Sequence, residues 1–373
     1  MSEMKTITVN ASKTYDVIIG DGFFDDAGAM IRKKVGGQVA AVVSDKNVFA
    51  LYGKRLTDSL EEDDYQVEKF IITPGENSKN TETYLRLAEF LAAQKLTRSD
   101  VVITLGGGVP GDIAGFAASS YMRGTRFVQI PTSLLAMVDS SVGGKTGINL
   151  SAGKNLLGAF YQPDLVLCDV SLLATLPQEV FADGMAEVIK YGMIADKSLF
   201  EPTPLVDIIT KCIDIKRDIV TKDEFESGER KLLNFGHTVG HAIEKLSNYE
   251  VSHGSAVAIG MVIETRAAVR LGICEENCLN ELIKILEQHG LPTSAHGLPE
   301  KTIFSSKELA EVCLSDKKRA GDSITMVFPE KIGKCILKEI PVDELEGIIS
   351  RAMYMCSDSE PMDGGAAATC AAG

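Results

Sequence analysis

Short apolar runs alternate with longer amphipathic stretches through the first half of the chain. Five short runs rich in Val, Ile and Leu predict buried strands, at 39–45, 67–72, 100–105, 126–131 and 164–169. Residues 81–96, between two of these runs, carry apolar positions at helical spacing. Strands that alternate with a helix in this way are typical of a mostly parallel sheet covered on both faces. The pattern therefore predicts an α/β fold for this half.

From about Pro177 the apolar positions follow helical periodicity instead. The predicted helices are 179–194, 205–222, 228–247, 254–272, 275–289 and 306–314, and a strand pair is predicted at 323–329 and 334–340. We therefore expect an α/β domain over 1–176 and a mainly α-helical domain over 177–356. The small, polar, Gly/Ala-rich tail over 357–373 is expected to be disordered.

Composition narrows the possible partners. The 373 residues carry a formal net charge of −14, which argues against general binding to nucleic acid or to an anionic membrane surface. No apolar stretch is long enough to span a membrane, and the first residues lack the features of a signal peptide. The eight scattered cysteines include no CxxC pair, which favours reduced thiols and a cytoplasmic location. An anionic substrate would need a local basic pocket.

A glycine-rich turn, LGGGVPGD at 105–112, follows one of the predicted strands. Pro110 suits the first turn of a helix, and a helix N-terminus behind glycines can bind a pyrophosphate. The spacing of Gly106, Gly108 and Gly111 matches G-x-G-x-x-G, but the usual acidic residue about 20 positions later is missing. The turn predicts nucleotide binding, with close packing alone as the alternative.

Two lysines lie in the glycine- and serine-rich stretch over 138–155. The GGKT at its centre resembles the end of a P-loop, but Asp139 occupies the position of the required first glycine, which excludes a Walker A motif. Lys145 and Lys154 therefore predict an anion-binding segment, with a flexible surface loop as the alternative.

Glu187 and Lys190 are three residues apart on a predicted helix. Their spacing alone slightly favours a surface ion pair. The other interpretation is a carboxylate metal ligand beside a pocket lysine.

Three of the five histidines, His237, His241 and His253, fall within 17 residues. Residues four apart share one face of a helix, so the spacing predicts a metal site that includes both His237 and His241. Ordinary surface histidines are the alternative. Arg230 and Asn234 continue the same spacing and predict one polar stripe along a single helix.

Five segments resemble the 3-dehydroquinate synthase family, in order and with close spacing, over about residues 15–350. They are GGGVPGDIAGFAASSYMRG, QIPTSLLAMVDSSVGGKTGIN, GKNLLGAFYQP, GMAEVIKYG and LLNFGHTVGHAIE. The resemblance implies an α/β NAD-binding domain, a helical metal-binding domain, a cleft between them and a homodimer. It also implies conversion of 3-deoxy-D-arabino-heptulosonate 7-phosphate to 3-dehydroquinate and phosphate, with transient oxidation by NAD.

The resemblance also assigns residues to cofactors. It implies that Glu187, His237 and His253 bind zinc or cobalt and that His241 lies in the pocket, which replaces the assignment made from spacing. The positions that match NAD contacts are Gly75, Glu76, Asn77, Ser78, Lys79, Gly108, Val109, Pro110, Gly111, Asp112, Thr132, Ser133, Lys145, Lys154, Leu172, Leu173, Ala174 and Thr175.

The remaining matched positions concern the substrate. Those with implied catalytic roles are Asp139, Lys145, Lys190, Asn234 and His241. Those with implied substrate contacts are Arg123, Asn155, Lys216, Arg230 and Lys317, with Lys318 as an alternative to Lys317. The resemblance implies that Arg123 reaches the substrate phosphate of the neighbouring subunit. Ser255 departs from the Glu that commonly follows the HG pair in the family.

Two rival functions remain open at this stage. One is a sister sugar-phosphate cyclase of the 2-deoxy-scyllo-inosose synthase type, whose glucose 6-phosphate substrate lacks the carboxylate that Lys216 and Arg230 could bind. The other is a metal-dependent polyol dehydrogenase, which would release reduced cofactor.

Overall fold

The computed structural model describes residues 4–295, 298, 304–315, 319–320 and 322–353. The strands are β1 Lys5–Asn10, β2 Thr14–Gly20, β3 Val39–Asp45, β4 Gln66–Ile72, β5 Val101–Gly106, β6 Arg126–Pro131, β7 Lys145–Leu150, β8 Gly153–Phe160, β9 Leu165–Asp169, β10 Arg319–Ala320, β11 Ser323–Lys331 and β12 Lys334–Pro341. The helices are α1 Ala27–Lys34, α2 Lys46–Val48, α3 Lys54–Glu62, α4 Thr81–Ala93, α5 Gly108–Ser120, α6 Gln178–Ile194, α7 Leu205–Lys222, α8 His237–Leu246, α9 His253–Arg270, α10 Glu276–Gln288, α11 Ser306–Ser315 and α12 Val342–Met353.

A sheet in the N-terminal half has the strand order β1-β2-β9-β6-β5-β3-β4 in the described residues. Its neighbours pair in parallel, except that β1 is antiparallel to β2. Every residue of β5 is buried, because helices cover the centre of the sheet on both faces. The predicted α/β domain is confirmed, and each of the five predicted strands corresponds to an observed one.

The first hairpin, β1–β2, was not among the predicted strands. Its residues alternate between buried and exposed, as in KTITVN, so it lacks the continuous apolar run that identifies the inner strands. A half-buried edge hairpin gives a weaker signal than a strand that is covered on both faces.

The carboxyl ends of the parallel strands meet at one edge of the sheet. The chain runs from β3 outward to β4 and then returns to the other side of β3 as β5, so the order reverses between β3 and β5. Ligands bind at such a reversal in open α/β sheets. Four of the segments matched to NAD contacts follow strand ends at this edge: 75–79 after β4, 108–112 after β5, 132–133 after β6 and 172–175 after β9, whereas Lys145 and Lys154 lie on β7 and β8.

The lysine-bearing segment forms a hairpin. β7 and β8 pair as a two-stranded antiparallel sheet, and β7 packs against α5. Close contact needs glycine here, because a Cβ on Gly158 would lie 2.1 Å from the carbonyl oxygen of Thr146. The alternative of a flexible surface loop is therefore wrong for 145–160.

The C-terminal half is mainly helical, and β10, β11 and β12 form a small antiparallel sheet beside its helices. The predicted strand pair is confirmed as β11 and β12. Within the described ranges, no helix combines the length and the apolar character needed to cross a bilayer. Lys317, Lys318 and the predicted tail over 357–373 lie outside the described residues.

One predicted helix is wrong. The segment 228–247 is not continuous, because residues 229–234 form a 3-10 helix and Gly236 adopts a left-handed conformation, with φ 77°. A new helix, α8, then begins at His237. Arg230 and Asn234 therefore do not share a helical stripe with His237 and His241.

Candidate functional site

A cavity of about 870 Å³ lies between the β7–β8 hairpin and the helices of the C-terminal domain. The matched residues that line it are Asp112, Asp139, Lys145, Lys154, Asn155, Glu187, Lys190, Lys216, Arg230, Asn234, His237, His241 and His253. The break at Gly236 does not separate the predicted polar residues, since Arg230, Asn234 and both helix histidines still face the same cavity. Residues from both halves of the chain thus meet in one site.

Three donor groups converge at the base of this cavity. His237 and His253 are the first residues of α8 and α9, and Glu187 lies on α6. Oε1 of Glu187 is 3.3 Å from Nε2 of His237 and 3.2 Å from Nε2 of His253. One ligand atom from each of the three residues lies within 4.8 Å of the others.

The chemistry of this group fits a metal cation. Burial lowers the pKa of His237 to about 4, so its ring is neutral at ordinary pH. Nδ1 of His237 lies 3.0 Å from the carbonyl oxygen of Phe235 and donates its proton there. The lone pair on Nε2 then faces a carboxylate oxygen of Glu187, and a cation bound between these two electron-pair donors would stabilise them.

Asp183 on α6 places the start of α9. Its Oδ1 accepts hydrogen bonds from the backbone N–H of Gly254 at 2.8 Å and from the hydroxyl of Ser252 at 2.5 Å. Ser255, the departure from the family pattern, lies 2.9 Å from the Ser252 hydroxyl through its own hydroxyl. These contacts anchor the helix end that carries His253.

Asp139 joins two buried lysines beside the metal-ligand group. Lys190 lies 2.8 Å from Oδ2 of Asp139 and also pairs with Glu187, while Lys216 pairs with Oδ1 of Asp139. The Glu187–Lys190 pair is almost completely buried, so the interpretation as a surface ion pair is wrong. Burial raises the pKa of the Asp139 carboxyl, but the two lysines outweigh this effect and hold that pKa below its usual value.

Arg230 is rigidly held at the wall of the cavity. It is 1% exposed, its guanidinium donates to the carbonyl oxygens of Gly143 and Glu224, and it lies 5.6 Å from the centre of the Phe160 ring. Its backbone N–H donates to Asp223. A fixed, planar cation of this kind suits a carboxylate or a phosphate.

Glu226 is a site residue that the sequence interpretation missed. Its carboxylate lies 2.5 Å from Nζ of Lys145 and accepts a hydrogen bond of 2.6 Å from the Asn234 amide. It lies in a polar stretch between α7 and the 3-10 helix, and it adopts a left-handed φ of 61°. Nothing in the local pattern distinguishes it from an ordinary loop glutamate.

Glu244 was missed as well. It is 3% exposed, and its Oε1 lies 2.9 Å from Nζ of Lys154 and 3.5 Å from Nδ1 of His253. Its position three residues after His241 in HTVGHAIE puts it on the same face of α8, which was an available signal.

Most of the positions matched to NAD contacts surround the strand ends, and Asp112, Lys145 and Lys154 also line the cavity. Lys79 is buried and pairs with Asp112 near the start of α5. The side chains of Leu172 and Leu173 are buried, so only their backbone atoms could contact a ligand. Gly75 has φ 102°, which favours glycine at this turn.

Arg123 is not brought into the cavity of its own chain. It is exposed and follows α5 at the end opposite to the glycine-rich turn. A helix of 13 residues is about 20 Å long, which separates Arg123 from the turn by that length.

Sequence profiles identify the family of this chain. The N-terminal domain profile of 3-dehydroquinate synthase matches residues 69–183, and the C-terminal domain profile matches residues 184–319. The chain belongs to the 3-dehydroquinate synthase family. The 3-dehydroquinate synthase of Clostridium acetobutylicum is 41% identical over 358 residues, which cover 91% of this chain and 98% of that protein.

Solved structures of sister cyclases share the fold. One is 2-deoxy-scyllo-inosose synthase complexed with carbaglucose-6-phosphate, NAD+ and Co2+, with 24% identity, a TM-score of 0.83 and coverage of 93% of this chain and 99% of that one. Another is 2-epi-5-epi-valiolone synthase from Streptomyces hygroscopicus subsp. jinggangensis 5008 with NAD+ and Zn2+, with 25% identity, a TM-score of 0.81 and coverage of 93% and 98%. The predicted family and the two-domain fold class are confirmed.

Proposed function

We propose that this chain is a 3-dehydroquinate synthase that converts 3-deoxy-D-arabino-heptulosonate 7-phosphate to 3-dehydroquinate and phosphate. One observation carries the proposal. In a single cavity, the Glu187–His237–His253 group adjoins Lys190, whose partner Asp139 also holds Lys216. A metal-ligand group beside buried cations suits a substrate that is both a polyol and an anion.

NAD and a zinc or cobalt ion are the cofactors that we infer. The sister cyclases named above were solved with NAD+ and Co2+ or Zn2+. In this chain, Glu187, His237 and His253 would hold the metal, and the segments at the strand ends would hold NAD. When bound, NAD would supply reversible hydride transfer, and the metal ion would supply Lewis-acid polarisation of the hydroxyl that is oxidised.

The basic residues of the cavity would bind the two anionic groups of the substrate. Lys190, Lys216 and Arg230 are buried cations held in place by protein groups, so little side-chain entropy is lost when an anion binds. Lys145 and Asn155 lie on the β7–β8 hairpin across the cavity. We propose that Lys317 joins them, although it lies outside the described residues.

Asp139 and His241 would relay protons, and the Asn234 amide would orient water in the site. Asp139 is a charged acceptor between two lysines, and the rings of His241 and His237 lie 5.4 Å apart between their centres. The imidazole of His241 has ring nitrogens that can donate or accept a proton. The surrounding protein would keep bulk water away from the reacting atoms.

We propose that Arg123 completes the site of a second subunit in a homodimer. Arg123 lies about one helix length from the strand ends of its own chain, and its side chain is exposed. An arginine that is remote from its own cavity can still bind the substrate phosphate of a partner related by a twofold axis.

The test is a comparison of two substrates with the purified protein, NAD and zinc. We expect phosphate release from the heptulosonate phosphate and none from glucose 6-phosphate, because only the first has a carboxylate for Lys216 and Arg230. His237→Ala should lose both bound zinc and activity, whereas the exposed control Glu287→Gln should retain them. Release from glucose 6-phosphate alone would identify a sister cyclase and contradict the proposal.

A further inference from the structure

Glu244 contacts groups from both domains. It lies on α8 and is 3% exposed. Its Oε1 faces Nδ1 of His253 at 3.5 Å and Nζ of Lys154 at 2.9 Å. His253 belongs to the helical domain, whereas Lys154 belongs to the β7–β8 hairpin, so a single carboxylate joins the two.

The two nitrogens of the His253 ring face different carboxylates. Nε2 of His253 lies 3.2 Å from Oε1 of Glu187, and Nδ1 on the other side of the ring faces Glu244. A carboxylate that accepts the proton of one ring nitrogen holds the other nitrogen as a lone-pair donor and fixes the orientation of the ring.

Lys154 also contacts an aromatic ring. Nζ of Lys154 lies 4.3 Å from the centre of the Tyr249 ring. Asn248 and Tyr249, just after α8, have left-handed φ values of 50° and 64°, which are uncommon for residues other than glycine. This turn presents the Tyr249 ring to the lysine that Glu244 binds.

We propose that Glu244 is a positioning residue that orients His253 for metal binding and couples the metal site to cofactor binding through Lys154. This inference rests on the proposed function, in which His253 binds zinc and Lys154 contacts NAD. A second metal group is geometrically available, because His241, Glu244 and His253 also offer ligand atoms within 4.8 Å. The ammonium of Lys154 already neutralises Glu244, which favours the positioning role over a second metal ion.

The first measurement is zinc affinity of the substrate-free protein, by competition with a chelator. We expect Glu244→Ala to weaken zinc binding roughly 10- to 100-fold, the usual cost of removing the partner of a metal-binding histidine. Glu244→Gln keeps an acceptor for the Nδ1 proton, so its loss should be smaller. The control Glu287→Gln, an exposed glutamate on α10, should bind zinc like the wild type. Equal affinity in Glu244→Ala and wild type would overturn the proposal.

The second measurement is NADH binding to the zinc-loaded protein, by fluorescence. Glu244→Gln removes the nearer of the two carboxylates beside Lys154, at 2.9 Å against 3.9 Å for Glu76, so it should weaken NADH binding about as much as Lys154→Met does. Lys154→Met should leave zinc affinity near the wild-type value. We expect the double variant to bind NADH no more weakly than either single variant, because both break the same link. A loss equal to the product of the two single losses would contradict the coupling.

The outcomes separate this inference from the proposed function. If the wild type binds no zinc, the proposed function fails. If it binds one zinc per chain and Glu244→Ala binds it equally well, only the role of Glu244 fails. Two zinc ions per wild-type chain, falling to one in Glu244→Ala, would make Glu244 a ligand and overturn the positioning role. If circular dichroism shows that Glu244→Ala is unfolded, the split between zinc and NADH binding in Glu244→Gln decides.

Discussion

Lys216 lies on α7, buried against Asp139 and near Arg230 and Lys190. Burial lowers its pKa to about 8, an effect that Asp139 opposes and the two neighbouring cations reinforce. Lys216 is therefore cationic below about pH 8 and becomes neutral above it. A lysine at this position can bind an anion only over the lower part of the pH range in which surface lysines remain charged.

This titration predicts the pH dependence of substrate capture. The kcat/KM for the anionic substrate should fall as the pH rises through about 8, because Lys216 loses its charge. Lys216→Arg keeps the charge, so its kcat/KM should be lower throughout but lack this decline. The control Lys211→Arg, on the same helix, should retain the decline. If kcat/KM of Lys216→Arg fell with pH as in the wild type, the decline would arise from another titrating group.

Individual ligands could not all be identified from local spacing. The four-residue spacing predicted that His237 and His241 both bind the metal. In the structure, the ligand atom of His237 lies close to those of Glu187 and His253. That set depends on where α6 and α9 begin and cross, which helical periodicity does not encode. The family resemblance implied all three residues as metal ligands, and these roles remain predictions. Glu244 was missed although it follows His241 by three residues, because its contact with Lys154 joins segments 90 residues apart.

At the scale of elements, glycines bring α8 and α9 into close contact and so place His237 beside His253. A Cβ on Gly260 would lie 2.0 Å from the carbonyl oxygen of Gly236, and one on Gly240 would lie 3.1 Å from that of Ala256. The buried carboxylate of Glu264 accepts a hydrogen bond of 2.7 Å from the Gly236 N–H. The crossing therefore leaves no room for side chains at these positions.

Gly260→Ala should separate the two helices. We expect it to reduce the free energy of unfolding by about 1–3 kcal/mol and to weaken zinc binding, since an inserted methyl group displaces the helix start that carries His237. Denaturant unfolding and chelator competition measure both effects. In the control Gly347→Ala, on α12, the new Cβ would lie at an ordinary contact distance of 3.6 Å from the Arg351 side chain, so this change should not lower stability. Wild-type stability and zinc affinity in Gly260→Ala would contradict this packing account.

Helices and strands could be predicted where burial imposes a regular pattern of apolar residues on the sequence. The central strands read as continuous apolar runs, and α7 was predicted with its observed bounds, Leu205–Lys222. The helix over 228–247 was mispredicted because the apolar and polar spacing continues across Gly236, although the backbone turns there. The β7–β8 hairpin was missed because its exposed leucines and glycines lack strand alternation.

At the scale of the whole molecule, the cavity combines an α/β domain with a helical one. The alternation of strands and helices predicts both fold classes, but it does not predict how the two halves face each other. The position of the domain boundary at 176/177 stays a prediction. So does the homodimer, for which Arg123 supplies the most specific test.

Mixing two inactive variants tests whether Arg123 acts across subunits. Arg123→Ala has an intact metal-ligand group, and His237→Ala has an intact arginine, so a mixed dimer regains one complete site. Equal coexpression should restore about a quarter of the wild-type activity, because half of the dimers are mixed and each has one working site. No recovery, with mixed dimers present by mass spectrometry, would contradict the cross-subunit role.

As a synthase, the chain should complete the reaction and regenerate NAD in each cycle. The most direct measurement supplies the heptulosonate phosphate in large excess over NAD, with zinc, and follows phosphate, 3-dehydroquinate and NADH together. We predict equal amounts of phosphate and 3-dehydroquinate, far exceeding the NAD present, without accumulation of NADH. Product limited to the amount of NAD, with matching NADH, would contradict the account and indicate a dehydrogenase.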